Sequence, residues 1–133
     1  MTTDSSSGIV NFTSPWSFHE TVERIETALS TRKIKLFARI DQAAEAAAVG
    51  LNLRPTILLI FGDPSKGTPL METHPTLAID LPLKVLVWEA GPSEVFVGLT
   101  APEFLQKRHG LPSAPFTEVI GLFKALINAG YQP

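Results

Sequence analysis

The residues best suited to chemistry lie in Ile60-Phe-Gly-Asp-Pro-Ser-Lys-Gly-Thr-Pro-Leu70. An apolar run ends there, a glycine-containing turn follows, and Gly67-Thr68-Pro69 suits a helix start, with Pro where its missing N–H costs nothing. Unpaired N–H groups at a helix N-terminus attract anions, and Lys66 adds a full positive charge. The glycine spacing and the Gly-Lys-Ser/Thr order of a Walker A loop are both absent, so a phosphate loop of that type is excluded. Capping of the helix by Thr68, with Gly67 easing a tight turn, explains the same residues without a ligand.

The three histidines, His19, His74 and His109, lack the i, i+4 pairing of a helical zinc site. His19 falls in a first helical turn and His109 near a helix end, where solvation is expected. His74, between Glu72 and Pro75, is the one placed to assist chemistry near the anion turn. Asp41 and Asp80 each follow an isoleucine at the end of an apolar segment, where a carboxylate could face a polar pocket. Asp41 also suits an N-cap, and Asp80 could brace its loop by accepting backbone N–H bonds. No Gly-x-Ser-x-Gly elbow and no Gly-x-Gly-x-x-Gly fingerprint occurs. The absence of cysteine removes disulfides, thiol nucleophiles and iron–sulfur or zinc–thiolate sites. No catalytic residue, metal site or cofactor is assigned.

What must position these groups is one domain. The chain has 133 residues, 44% hydrophobic and 18% charged, a globular composition long enough to bury a core without staples. Eleven basic against thirteen acidic residues give a net charge of −2, which disfavours nucleic acid as a partner. The polar start Met1–Gly8 lacks the order of a signal peptide, and the longest purely apolar run, Ile57–Phe61, is far too short for a membrane span. A cytoplasmic protein is expected, with residues 1–7 a disordered tail and 8–133 a single domain.

Ser17-Phe-His-Glu20 reads as a capping box, and Phe18, Val22, Ile25 and Leu29 form one helical stripe over 17–31. Ile34–Ile40 alternates as a strand, with Ile34, Leu36, Ala38 and Ile40 on one face. Asp41 then caps a short helix, 42–49, stopped by Gly50. Thr56–Phe61 reads as a strand buried on both faces. A short helix from about Gly67 must stop at Pro75. Leu83–Glu89 and Glu94–Leu99 flank Ala90-Gly-Pro-Ser93 as a hairpin in which Trp88 and Phe96 face each other, as core aromatics. A helix capped in Thr100-Ala-Pro-Glu103 ends near Gly110. The last helix opens near Pro115, turns Val119, Leu122, Phe123, Leu126 and Ile127 inward and stops at Gly130. Strands bracketed by two long amphipathic helices make an α+β fold, with both helices on one face of a largely antiparallel sheet.

Phe37-Ala-Arg-Ile-Asp41, Ala46–Gly50, Leu53-Arg-Pro55 and Leu59-Ile-Phe-Gly-Asp-Pro64 stand in order before Gly67-Thr-Pro-Leu-Met71, Pro75, Ala78-Ile-Asp-Leu-Pro-Leu-Lys84 and Val87-Trp-Glu89. This succession resembles the DUF302 family of small domains of unknown function. The resemblance implies a TBP-like α+β fold (β-α-β4-α) and a dimer. The family commonly has His where this chain has Gln42, and Asn where it has Asp63. Gln42 keeps hydrogen bonding but loses proton exchange near neutral pH, and Asp63 adds negative charge beside the anion turn.

The expectation is therefore a noncatalytic homodimer holding a small polar or anionic ligand near Asp41, Gln42, Asp63, Ser65, Lys66, Gly67, Thr68, His74 and Asp80. The rivals are a hydrolase- or lyase-type enzyme with Asp41 or Asp80 as base, and an interaction module using Phe116 and Ile120 at the edge of the last helix's stripe.

Overall fold

The structure, a computed structural model, describes residues 2–4 and 7–129. Its first long helix starts where local chemistry dictates. The Ser17 Oγ accepts from the Glu20 N–H at 3.2 Å, and α1 runs Phe18–Thr31. The reciprocal half of the box is not made, because the Glu20 carboxylate turns to Arg24, one helical turn on, at 3.0 Å. The predicted stripe of Phe18, Val22, Ile25 and Leu29 is buried.

The strands are β1 (Thr2–Asp4), β2 (Ile9–Ser14), β3 (Lys35–Asp41), β4 (Thr56–Gly62), β5 (Leu83–Gly91) and β6 (Glu94–Thr100). They form one sheet in the order β1-β2-β6-β5-β4-β3, every neighbouring pair antiparallel. β1, from the segment expected as a tail, pairs through its backbone with Ile9–Asn11. With β1 and the short helices set aside, the order is β-α-β4-α.

Side chains alternate across a strand, so each strand gives one set to each face. Val10 and Phe12, Ile57, Leu59 and Phe61, Val85 and Val87, Val95 and Val97 are buried together on one face. There α1 and α5 (Thr117–Ala129) pack on the sheet and on each other. Val119, Phe123 and Ile127 of α5 are buried, and Phe123 meets Phe61 edge-on at 5.8 Å. The predicted stop at Gly130 lies outside the described residues. No helix among the described residues is long and apolar enough to cross a membrane.

Because both long helices take one face, β4 is fully buried on that side alone. Leu58 and Ile60, expected inside, stay half-buried. Trp88 and Phe96 do pair across the hairpin, stacked at 4.8 Å, but on this outer face and half-buried rather than in the core. The expected shared face of β3 is also broken. A bulge between Leu36 and Ala38 pairs Leu36 with Phe61 and Ala38 with Ile60, placing the two on opposite faces. β3 is an edge strand with no fully buried side chain.

The short helices are α2 (Gln42–Ala48), α3 (Pro64–Thr73) and α4 (Pro102–His109), with a 3₁₀ turn at Pro75–Ile79 that the sequence reading lacks. α2 is capped by Asp41 as predicted, and Gly50 follows it at φ +78°. α4 ends on left-handed Gly110 but starts on Ala101 without a side-chain cap, so Pro102 at its first position marks the start in place of the Thr100 box. α3 begins before the expected Gly67, and Pro69 lies inside it. Asp63 and Pro64 supply a cap and a first-position proline immediately after β4, so the helix nucleates there.

Candidate functional site

Where β4 ends and α3 begins, the two layers part around a cavity of about 690 Å³. Each wall has a local cause. The β3 bulge aims Phe37 into it, since an extra residue re-aims the side chain beside it. Phe61 and Gly62 bring the end of β4, and the first turns of α3 add Lys66, Gly67, Thr68 and Met71. Gly67 is buried, and its missing side chain leaves room beside Leu81 and Met71. The Leu81–Leu83 stretch, with a cis Leu81–Pro82 bond, closes another side. Val119 and Leu122 of α5 close the last. The lining is mostly apolar, with few polar groups among the walls, as in small-molecule sites.

Four charged residues line it: Arg32, Asp63, Lys66 and Glu118. The Asp63 carboxylate is turned to its own helix, accepting from the Ser65 N–H at 3.0 Å and the Ser65 hydroxyl at 2.6 Å. Those bonds, the hydroxyl's first, hold its carboxyl below the usual carboxylate value, and the Lys66 charge adds to the effect. The Lys66 Nζ lies 3.2 Å from Glu118 Oε1, tying α3 to α5. Arg32 ends α1, and its guanidinium has no ion pair or hydrogen bond among the described residues. Of the four charges, then, only Arg32 is uncommitted.

The anion turn is thus changed in mechanism. The first N–H groups of α3 are satisfied from within: Ser65 by the Asp63 side chain, Lys66 and Gly67 by the Asp63 carbonyl at 3.0 Å. Thr68 caps nothing. Any attraction for anions comes from side-chain cations at the cavity.

The structure brings together only part of the predicted set. Asp63, Lys66, Gly67 and Thr68 line the cavity, with Ser65 beside them. Asp41 caps α2 through the Ala44 N–H at 2.9 Å. It pairs with Ile57 while Lys35 pairs with Gly62, so Asp41 and Gln42 sit at the far end of β4, roughly 17 Å away at the usual strand rise. His74 ends α3 and shares a hydrogen bond with the Thr73 hydroxyl. Asp80 does not brace backbone N–H groups. It takes Arg108 at 3.2 Å and His109 at 2.5 Å, and reaches only a smaller cavity of about 170 Å³. His109, expected in solvent, has a side chain only 4% exposed, because Asp80 and Thr76 draw it against the 3₁₀ turn. Among the described residues no group of His, Asp and Glu converges as a metal site.

Phe37, Arg32, Glu118 and Phe116 were missed as lining residues. Phe116 and Ile120 do not form an outer edge of α5; both pack against the core and line cavity walls. Phe116 has φ +57°, which costs a bulky residue about 1–3 kcal/mol. Nothing in the sequence around it signals that conformation.

A family model described as "Domain of unknown function DUF302" matches residues 10–129. "Fluoride-specific ion channel FluC 1" of Brucella suis biovar 1 (strain 1330) is 40% identical over 105 residues, 79% of this chain and 41% of that protein. The protein of the same name from Brucella abortus biovar 1 (strain 9-941) is also 40% identical over 105 residues, 39% of its length. The chain therefore spans about two-fifths of these relatives. A crystal structure of a conserved DUF302 protein from Bacillus stearothermophilus superposes with a TM-score of 0.78 over 93% of this chain and 98% of that one. At 16% identity it speaks to the fold alone.

Proposed function

We propose, from the premise that this chain belongs to the DUF302 family, that it is a noncatalytic domain binding a small amphipathic acid. The observation that carries this reading is a large apolar cavity whose two cations are available. Arg32 is unpaired among the described residues, and Lys66 is held only by an exposed carboxylate. An apolar body leaves water for the walls, while its acid group meets Arg32 and replaces Glu118 on Lys66. A purely polar ligand fits these walls poorly, because its groups would lose water without gaining partners.

The same argument bears on the name carried by the Brucella relatives. Fluoride is small and strongly hydrated, and an apolar cavity of this size offers it little. A role as an accessory domain beside a channel remains compatible with the reading, with an organic acid as the ligand sensed. Neither Asp41 nor Asp80 reaches the larger cavity, which speaks against the enzyme with either as its base.

Assembly as a homodimer belongs to the same proposal. It is supported by the outer sheet face, where Trp88 and Phe96 stack and Leu58, Ile60 and Leu86 are only half-buried; a second copy would remove them from water.

Native mass spectrometry of freshly purified protein, under gentle and then harsh activation, tests both parts. The expected spectrum is a dimer carrying a reproducible added mass in the range of a small organic acid, lost on activation. A clean chain in every preparation, with no mass gained after incubation with decanoate, refutes the ligand; a monomer refutes the dimer.

A further inference from the structure

The segment 41–55, which joins β3 to β4, has no buried side chain, yet it is firmly built. Asp41 caps α2 at one end. At the other, the Gly50 and Leu51 N–H groups close the helix on the Ala47 and Ala46 carbonyls at 3.1 and 2.9 Å, with Gly50 left-handed at φ +78°. Further on, the Pro55 carbonyl accepts from the Glu89 N–H of β5 at 3.0 Å. Helices this short are marginal in water and are normally held by a packed face, and α2 buries none. The arm so formed presents Val49, Leu51 and Leu53, which are 73%, 64% and 47% exposed. Folding of one chain leaves them in water.

The same chain has the surface they lack. On the outer sheet face Ile40, Leu58 and Leu86 stand in one row across β3, β4 and β5, with Trp88 and Phe96 in the next row, all half-buried. Lys84 lies on this face at one end of the apolar rows and Glu94 at the other. The arm has the matching order, with Glu45 before its apolar residues and Arg54 after them. None of these four charges has an ion pair among the described residues.

We propose that the arm, 42–54, of each copy lies across the outer sheet face of a second copy, with Leu51 seated on the Leu58–Leu86 row. This arrangement rests on the homodimer proposed above and names the surfaces that meet. Each copy gives an arm and receives one, so the contact is self-complementary and closes at two chains. An arm fixed at both ends loses little freedom when it docks, which favours the contact.

The chain has no cysteine, so introduced thiols report the contact cleanly. Reduced Leu51→Cys protein is mixed with Leu58→Cys or Leu86→Cys protein, left to exchange subunits and oxidised. Denaturing mass spectrometry without reductant is expected to show the disulfide between unlike chains dominating both like pairs. Leu51 is already exposed in the single chain, so Leu51→Asp is expected to keep the fold and the affinity for decanoate. By sedimentation equilibrium it should weaken the dimer at least about a hundredfold, the worth of a leucine buried twice. Absence of the mixed disulfide, or a Leu51→Asp dimer as tight as the wild type, overturns the exchanged arm and leaves a homodimer joined elsewhere. A wild-type chain that sediments as a monomer at every concentration overturns the homodimer, and the exchange with it.

Discussion

The Lys66 ammonium and the Glu118 carboxylate lie 3.2 Å apart and join α3 to α5 at the rim of the larger cavity, although 52 positions separate them. Both side chains are more than half exposed, at 58% and 53%, so the pair contributes only about 0–1 kcal/mol. Such a pair is easily exchanged for a ligand's acid group. Glu118→Gln is expected to keep stability within about 1 kcal/mol and to tighten decanoate roughly three- to tenfold by freeing Lys66. Lys66→Met and Arg32→Met are expected to weaken it about tenfold each, since each removes a charge-assisted bond. Titration calorimetry on the three variants reads this; equal affinities throughout would remove the cations from the account.

Gly67 separates folding from binding. A methyl group there would meet Leu81 Cδ1 at 3.4 Å and Met71 Cε at 3.8 Å, ordinary contact distances. Gly67→Ala should therefore stabilise α3 by about 0.5–1 kcal/mol in urea denaturation. Gly67→Leu should project a branched side chain into the cavity and weaken decanoate at least about tenfold, the worth of two methylenes excluded. Unchanged affinity in Gly67→Leu would place the ligand elsewhere.

The cap of α3 makes a pH prediction. Asp63 has a folded pKa below its unfolded value of about 3.8, because Ser65 donates to the charged form. A depressed acid stabilises the fold above the unfolded pKa and loses that contribution as pH falls through the folded one. Asn caps helices about as well as Asp but carries no charge. Asp63→Asn should thus be slightly less stable than wild type at neutral pH, with the gap closing below pH 3.8. Urea midpoints at several pH values measure it. A gap that persists or widens in acid contradicts the assignment.

How far the sequence reaches is clear from particular residues. Ser17, Asp41 and the stripe of α1 act within a turn or two, so their roles are visible in the letters. Asp63-Pro64 and Thr68-Pro69 are two sound helix starts, and only the end of β4 decides between them. The bulge that aims Phe37 inward is a matter of register between β3 and β4, which neither strand encodes alone. Arg32 and Glu118 look like ordinary surface charges until topology sets them around one cavity. The expected cluster failed at Asp41 because antiparallel pairing sends it to the opposite end of β4.

Asp80 holds Arg108 and the nearly buried His109, fastening the 3₁₀ turn to α4. Asp80→Ala is expected to cost about 1–3 kcal/mol in urea denaturation, because the nearly buried His109 loses its partner. Octanoate affinity should not change, since the larger cavity does not include Asp80. A loss of affinity in a variant of full stability would return Asp80 to the site.

The central claim is that the cavity takes an apolar body by its walls and an acid group by its cations. Decanoate and decylamine share a tail of the same kind and differ in the sign of the head, so titrating both into the wild-type protein tests it most directly. The account predicts saturable decanoate binding with one site per chain and decylamine weaker by about tenfold or more. Equal binding of the two amphiphiles, or none by either, would contradict it.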